Sequence, residues 1–162
     1  RHPCPQQTIS VVSPETPCPD FHELSPFDVW ESRFPVVVQY VYPAGQGPII
    51  SSLTEALARL LLKYPSLGGR FELKDSKHVL VRHSEPEITV IVGPEELDDM
   101  EAWQGGTFKE LLVASVSCGM PICTGTSLFE ARITPIMGGR TLVSVCVNHG
   151  LVDMQSLAQF MA

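Results

Sequence analysis

The sequence predicts a mixed α/β (α+β) fold, a sandwich in which a mixed sheet is flanked by helices. Runs of β-branched and aromatic residues in the first third and near the end of the chain predict strands. Between them, apolar residues at a spacing of three and four predict an amphipathic helix. The elements follow in the order β-α-β-β-β, then two strands and a helix, with no internal repeat. A chain of 162 residues is enough for one such domain.

The first well-patterned elements are a strand and a helix. Residues 36–42 (Val-Val-Val-Gln-Tyr-Val-Tyr) predict a strand that is buried on both faces. After a Pro- and Gly-rich loop, a helix that ends before Pro65 is predicted by apolar residues at helical spacing: Ile50, Leu53, Leu57, Leu60, Leu61 and Tyr64. Ser52, with Glu55 three residues later, predicts a capping box at its start.

The middle of the chain predicts a hairpin with arms at residues 70–74 and 78–83, joined by a turn at residues 75–77. A further strand is predicted at residues 88–92. The stretch from residue 93 to 128 is weakly patterned, and a short helix is predicted at residues 108–113.

The last section is clearly patterned again. Two strands, at residues 129–136 and 141–147, are joined at Gly138-Gly139, and a helix is predicted from about Met154 onward. At the other end, residues 1–20 are rich in proline, so they are expected to form an extended surface segment.

Charge and composition exclude several classes of function. The net charge is −7 and no run of Lys or Arg occurs, which argues against a nucleic-acid partner. No apolar run reaches the 18 residues of a membrane-spanning helix, so no membrane partner is expected. Five cysteines, an odd number without framework spacing, predict reduced thiols and a cytoplasmic protein. No second Cys or His pair accompanies Cys118 and Cys123, so no metal site is predicted.

The surface is expected to include an apolar area. Charged residues make up 18% of the chain, against about 25% in a typical soluble domain. Contiguous apolar surface usually marks an interface with another domain or chain. The chain also begins without a Met, which suggests that it is a segment of a longer protein.

The candidate chemistry lies at the end of the last strand, where His149 is followed four residues later by Asp153. A histidine at a strand end faces the edge of a sheet, a favoured position for catalytic groups, and its neutral imidazole can accept a proton. Taken alone, this pentapeptide is more typical of a structural histidine followed by the N-cap residue of a helix.

Four segments stand in one order along the chain: residues 24–28 (Leu-Ser-Pro-Phe-Asp), residues 64–70 (Tyr-Pro-Ser-Leu-Gly-Gly-Arg), residues 131–133 leading through Gly138-Gly139 into a strand, and residues 148–153 (Asn-His-Gly-Leu-Val-Asp). Together they resemble the N-terminal half of the BAHD family, the plant and fungal acyl-CoA-dependent acyltransferases. The residues at 64–70 are similar to the family's Tyr-Pro-x-Leu-Ala-Gly-Arg segment, and His149 with Asp153 matches its His-x-x-x-Asp motif. The resemblance covers residues 20–162.

The sequence departs from the family pattern in two places. Met154 stands where the family usually has a glycine, and the family's second motif, Asp-Phe-Gly-Trp-Gly, is absent. The resemblance therefore implies that residues 1–162 form the N-terminal domain of a two-domain acyltransferase, with the C-terminal domain absent from this chain.

The resemblance also implies a fold and a function. The fold would be a chloramphenicol-acetyltransferase-like sandwich. His149 would act as the general base that moves an acyl group from acyl-CoA to a hydroxyl or amine of a small-molecule (secondary-metabolite) acceptor. Asp153 would support the site structurally. Ser25 and Asp28 match a segment near the acceptor pocket, although their residue types are more typical of a turn with a helix cap.

The partners implied by the resemblance are acyl-CoA as co-substrate, an alcohol or amine acceptor, and the C-terminal half of the enzyme, with no permanently bound cofactor. Two alternatives stay open. One is a relative of the nonribosomal peptide condensation domains, which usually carry a second histidine where this chain has Asn148. The other is a non-catalytic interaction module.

Overall fold

Two β-sheets and the helices beside them make up the described part of the chain, which in this computed structural model comprises residues 7–12, 20–82, 87–93 and 127–161. The elements, in chain order, are β1 (Gln7–Val12), β2 (Asp20–Glu23), α1 (Pro26–Glu31), β3 (Pro35–Tyr42), α2 (Ile50–Lys63), a 3₁₀ turn (Pro65–Gly68), β4 (Arg70–Lys74), β5 (Lys77–Arg82), β6 (Glu87–Val92), β7 (Phe129–Ile136), β8 (Arg140–Asn148) and α3 (Met154–Met161). The predicted mixed α/β class is confirmed. The helix predicted at residues 108–113 lies outside the described residues.

The larger sheet has the strand order β1-β6-β7-β8-β3. β6 and β7 are parallel, while the other neighbours are antiparallel, so the sheet is mixed. The predicted strands β7 and β8 form a hairpin whose turn contains Gly138 and Gly139, with φ of +81° and +73°. Glycine suits this turn because both positions lie in the left-handed region.

The prediction that the strand at residues 36–42 is buried on both faces is wrong. Among the described strands, β3 is an edge strand whose neighbour in the sheet is β8. Val36 packs into the main core, whereas Gln39 and Tyr40 are exposed. Valine and tyrosine favour half-buried strands as well as central ones, so the composition of the run did not distinguish an edge from the middle of a sheet.

Part of the proline-rich N-terminal segment belongs to this sheet. β1 lies within the stretch expected to be an extended surface segment, and it pairs antiparallel with β6 along its whole length. Val11 is buried in the main core. Extended backbone was predicted here, but the sheet partner of this strand could not be read from local sequence.

The smaller sheet has the order β2-β5-β4 and contains the predicted hairpin. Its turn is Asp75-Ser76, with φ of +50° and +64°, and residue 77 already belongs to β5. Two central residues with positive φ are typical of a type I′ turn, whose twist matches that of the flanking strands. The hairpin prediction is confirmed, with a turn shorter by one residue.

α2 begins two residues before the predicted capping box. Its N-cap is Ile49, which makes no side-chain capping hydrogen bond, so the prediction of Ser52 as the cap is wrong. The apolar spacing of the helix extends back to Ile50, which is partly buried, so the helix starts before Ser52 and Ser52 lies within its first turn. At the other end, Pro65 opens the 3₁₀ turn, so the predicted end is confirmed.

The main core lies between the larger sheet and the helices α2 and α3, and it fixes the position of β8. Leu61 of α2 and Leu157 of α3 pack there together with Val145 and Val147 of β8. The last seven residues of β8, from Leu142 to Asn148, are all buried. The next residue, His149, therefore has a fixed position at the end of an interior strand.

Three aromatic side chains lie in contact at the surface. Phe27 and Trp30 of α1 have ring centroids 6.2 Å apart, and Trp30 meets Phe34 edge-on at 5.2 Å. All three are exposed, Phe27 by 66%. The low charge of the sequence predicted exposed apolar surface, and this cluster is one place where it occurs. Among the described residues, no helix combines the length and apolar character needed to cross a bilayer.

Candidate functional site

His149 is the first residue after β8, at an end of the larger sheet. Its backbone N–H donates to the carbonyl oxygen of Phe34 at 2.9 Å, which ties the residue to the start of β3. The side chain is 32% exposed, so the imidazole is accessible to solvent from an otherwise buried strand. This placement combines a rigid backbone with an accessible ring.

The imidazole contacts a carboxylate that the sequence analysis did not identify. Nδ1 of His149 lies 2.8 Å from Oε2 of Glu31, the last residue of α1, and the side chain of Glu31 is only 14% exposed. An ionised carboxylate accepts hydrogen bonds and does not donate them, so this geometry suits an imidazole whose N–H is on Nδ1. No local motif signals this pair, because the two residues lie at opposite ends of the chain.

Asn148 joins the end of β8 to the end of α1. Its Nδ2 donates to the carbonyl oxygen of Ser32 at 2.8 Å, and its Oδ1 accepts from the backbone N–H of Gly150 at 3.0 Å. The side chain is buried, and its backbone N–H donates to Leu128. The Asn148 side-chain amide therefore forms hydrogen bonds both with the end of α1 and with the turn after β8.

Gly150 brings the turn after β8 into direct contact with α1. A Cβ atom at this position would lie 2.7 Å from the carbonyl oxygen of Asp28 and 2.9 Å from Cβ of Ser32. Both distances are shorter than van der Waals contact allows, so only glycine permits this approach. The lack of a side chain at Gly150 therefore allows α1, a helix of six residues, to lie close to His149.

Ser25 and Asp28, the predicted acceptor-pocket residues, form a reciprocal capping box at the start of α1. The Asp28 N–H donates to Oγ of Ser25 at 3.1 Å, and the Ser25 N–H donates to Oδ2 of Asp28 at 3.0 Å. Their side chains hold the helix that carries Glu31, one turn away. The structure brings this helix to His149, while a role in an acceptor pocket stays a prediction.

Asp153 caps α3. Its Oδ1 accepts the backbone N–H of Ser156 at 2.7 Å, and its own carbonyl accepts the N–H of Leu157 at 2.9 Å. The hydrogen bonds from Ser156 lower the pKa of the exposed carboxyl, and the nearby His149 adds a smaller effect in the same direction. The carboxylate thus fixes the helix that begins after the histidine turn.

Other ionisable groups lie on the larger sheet itself. Glu130 and Arg132 are buried on β7, and burial lowers the pKa of the Arg132 guanidinium, partly offset by Glu130. Burial, with a further contribution from Glu130, raises the pKa of Cys146 to about 12. Within the described ranges, no group of three or more His, Cys, Asp or Glu residues is arranged to hold a metal ion.

A cavity of about 430 Å³ lies between α2 and the larger sheet. Its lining includes Leu57 and Leu60 of α2, with Phe129, Ala131 and Val145 from the sheet. It does not include His149 or Glu31, so the cavity is separate from the candidate site.

The site can act chemically as a general base. A neutral imidazole with its proton on Nδ1 presents the lone pair of Nε2, which accepts a proton from a substrate. A carboxylate behind the ring also stabilises the imidazolium that forms after the transfer. No metal is needed for this step, and the arrangement suits any reaction that begins with deprotonation of a hydroxyl or amine.

A family model and several solved structures match this chain. The model of the Transferase family matches residues 7–162. No curated protein sequence matches the chain. Vinorine synthase is similar in structure, with a TM-score of 0.62 at 17% identity over 97% of this chain and 41% of that one.

Two further solved structures share the fold. TRI101 of F. graminearum, complexed with coenzyme A and T-2 mycotoxin, has a TM-score of 0.60 at 14% identity over 88% of this chain and 38% of that one. A variant of the starter condensation domain of rhizomide synthetase RzmA, in complex with C8-CoA, has a TM-score of 0.63 at 13% identity over 87% of this chain and 33% of that one.

This chain therefore spans less than half the length of each of these structures. The likeness shows the fold, and it confirms the predicted chloramphenicol-acetyltransferase-like class of domain. The family model covers nearly all of the chain, so this protein belongs to the Transferase family of BAHD-type acyltransferases.

Proposed function

We propose that the protein transfers an acyl group from acyl-CoA to a hydroxyl or amine of a small-molecule acceptor, with His149 as the general base. The observation that carries the proposal is the partly exposed imidazole whose Nδ1 lies 2.8 Å from Oε2 of Glu31, directly after a strand whose last seven residues are buried. Membership of the Transferase family supports the same reaction class.

The reaction begins when Nε2 of His149 takes the proton of the acceptor hydroxyl or amine. The acceptor oxygen or nitrogen attacks the thioester carbonyl carbon and forms a tetrahedral intermediate. When the intermediate collapses, the carbon–sulfur bond breaks and the CoA sulfur receives the proton from Nε2. Base catalysis of this kind typically contributes about 10²–10⁴-fold to the rate. No permanently bound cofactor takes part.

The substrates are inferred from the solved relatives. TRI101 was crystallised with coenzyme A and a mycotoxin, and the RzmA domain with an acyl-CoA, so both ligand types fit this fold. We propose that residues 1–162 form the N-terminal half of the enzyme and that a C-terminal half completes the substrate channel. In this proposal Asp153 supports the site by capping α3, and Ser25 and Asp28 lie beside the acceptor.

We place the protein in the cytoplasm and in secondary metabolism. The odd number of cysteines supports a reducing compartment. Cys146 is free and buried, as expected of a structural thiol.

A condensation-type reaction is the second candidate, and the likeness to the RzmA domain favours it. The thioester donor of such a reaction can be tethered to a carrier protein instead of free CoA. Asn148 argues for the CoA reaction, since condensation domains usually have a histidine there. The two reactions are distinguished by which thioester the protein consumes, acyl-CoA or a carrier-bound thioester.

The proposal is tested on the complete protein with a panel of acyl-CoA thioesters and with alcohol and amine acceptors. Release of free CoA thiol is followed by a colorimetric thiol reagent, and the acylated product is identified by mass spectrometry. We expect His149→Gln to lower turnover by about 10²–10⁴-fold. His22→Gln is the matched control, because His22 is an exposed histidine on β2.

Normal turnover in His149→Gln contradicts the proposed base. Turnover with a carrier-bound thioester but with no acyl-CoA favours the condensation reaction. Binding of acyl-CoA without product formation under any condition favours a non-catalytic module.

A further inference from the structure

Glu31 is the partner of His149, and no sequence motif assigns it a role. We propose that Glu31 is a positioning residue, which accepts the Nδ1–H of His149, holds the ring in one tautomer and leaves Nε2 as the proton acceptor. The inference rests on the proposed function, because it names the residue that prepares the base. Glu31 itself is placed behind the ring and does not contact the substrate.

The contact is held by the backbone on both sides. Glu31 ends α1, and the next residue, Ser32, accepts a hydrogen bond from Asn148, the residue before the histidine. The backbone N–H of His149 donates to Phe34, just beyond α1. Neither partner has to be ordered when substrate arrives, so little conformational entropy is lost in forming the pair.

The start of α1 and the turn after β8 add two more constraints. The capping box of Ser25 and Asp28 fixes the first turn of the helix. Gly150 lets the backbone of the turn approach the helix more closely than any other residue would. These contacts set the position of Glu31 without using its carboxylate. The carboxylate is therefore free to bind the imidazole.

The burial of the pair suits an electrostatic role. The side chain of Glu31 is less exposed than that of His149, 14% against 32%, so the carboxylate lies on the protein side of the ring. A partly buried charge is screened less by solvent than an exposed one. Asp153, a second acidic group near the ring, is exposed, and its carboxylate accepts the N–H of Ser156. Glu31 is thus better placed to stabilise the imidazolium.

Two substitutions separate positioning from folding. Glu31→Gln keeps the size of the side chain, but its amide can donate as well as accept, so the preference for Nδ1–H is lost. Glu31→Asp keeps the charge and shortens the reach. The matched control is Glu55→Gln, the same change at an exposed helical glutamate that pairs with Arg59.

The first measurement is the ¹⁵N spectrum of the complete protein with labelled histidine. The signals of His149 are identified by their loss in His149→Gln. We expect the neutral ring to carry its proton on Nδ1 in the wild type and in Glu55→Gln. In Glu31→Gln we expect a shift toward the Nε2–H tautomer. This readout does not require turnover, so it judges the role of Glu31 even if the proposed acyl transfer fails.

The second measurement is steady-state kinetics with thermal melts. We expect Glu31→Gln to lower kcat by about 10- to 100-fold with the KM for acyl-CoA changed less than about twofold, since a group that acts on the base alters the transition state. Glu31→Asp is expected to recover part of the loss. Glu55→Gln is expected to match the wild type.

Two results overturn the inference. The first is a Glu31→Gln protein with an unchanged His149 spectrum. The second is a fall in kcat in Glu31→Gln that goes with a clear fall in Tm, with no recovery of kcat in Glu31→Asp. That result would assign Glu31 a structural role. If every variant, including His149→Gln, keeps the turnover of the wild type, the proposed function is contradicted. The tautomer measurement still decides the role of Glu31 in that case.

Discussion

Asn148 and Ser32 are joined by a buried hydrogen bond of 2.8 Å, from Nδ2 of the asparagine to the carbonyl oxygen of the serine. Each is the immediate neighbour of a site residue, because Ser32 follows Glu31 and Asn148 precedes His149. The bond therefore fixes the distance between the two backbone segments that carry the Glu31 carboxylate and the His149 imidazole. It links a strand of the main sheet to a helix that packs outside it.

Replacing Asn148 with alanine is expected to destabilise the protein and to separate α1 from β8. The buried carbonyl of Ser32 and the partly buried N–H of Gly150 both lose their partner, and a fully buried unsatisfied group costs about 1–3 kcal/mol. We expect a loss of about 2–3 kcal/mol in urea denaturation. Gln46→Ala is the control, since Gln46 is an exposed amide side chain in the loop after β3. Equal effects of the two substitutions would contradict the role of Asn148.

The fold could be predicted from sequence wherever one element carries its own pattern. The hairpin of β7 and β8 has apolar residues alternating with polar ones on the first arm, an apolar run interrupted by Ser144 on the second, and two glycines between them. The β4–β5 hairpin has strand residues on both sides of a polar turn. Such features depend on neighbours in sequence. They specify the type of each secondary-structure element and place its ends within one or two residues.

Features that depend on distant partners could not be predicted in this way. Pairing of β1 with β6 and the edge position of β3 are set by which strands meet in the folded sheet. The contact of Glu31 with His149 belongs to the same kind, because it exists only after α1 packs on the end of β8. A glutamate in a short exposed helix carries no local signal of such a role. Ser25 and Asp28 did carry one, as a helix cap.

Gly150→Ala is expected to disturb the site without changing any polar group. The added methyl would overlap the backbone carbonyl of Asp28 and the side chain of Ser32, so α1 or the turn has to move. Such overpacking typically costs about 1–3 kcal/mol. We expect a lower Tm together with a changed ¹⁵N spectrum of His149. Gly45→Ala is the matched control for the added methyl, since no atom lies within 4 Å of the new Cβ, although its positive φ adds a small cost.

A Gly150→Ala protein with wild-type stability and an unchanged imidazole spectrum would show that the close contact of the turn with α1 is not required. A crystal structure of the variant would then locate the relaxation.

Cys146 is expected to resist alkylation in the folded protein. Its side chain is fully buried on β8, and burial together with the charge of Glu130 raises its pKa to about 12. The thiolate is the reactive form, so its fraction near pH 8 is very small. We expect no iodoacetamide adduct on the Cys146 peptide in native buffer and complete reaction in guanidinium, measured by mass spectrometry. Rapid labelling of the native protein would mean that β8 opens locally.

Asp153 is expected to stabilise the protein as the cap of α3. Asp153→Ala removes the acceptor of the Ser156 N–H and should lower Tm at neutral pH, whereas Asp153→Asn keeps an oxygen acceptor and should lower it less. The pKa of the carboxyl is lowered in the folded state, chiefly by the hydrogen bonds from Ser156. The charged form is thus the stabilising one.

The sign of the pH dependence follows from that lowered pKa. The contribution of Asp153 is complete above the ordinary carboxyl pKa of about 4 and is lost as the pH falls through the lower folded value. The Tm difference between the wild type and Asp153→Ala should therefore be constant from pH 5 to 8 and shrink in acid. Turnover of Asp153→Ala should fall together with its stability, because α3 begins beside the histidine turn. A variant that melts normally and yet does not turn over would mean that Asp153 acts in the chemistry itself, and the division of roles between His149 and Asp153 would be wrong.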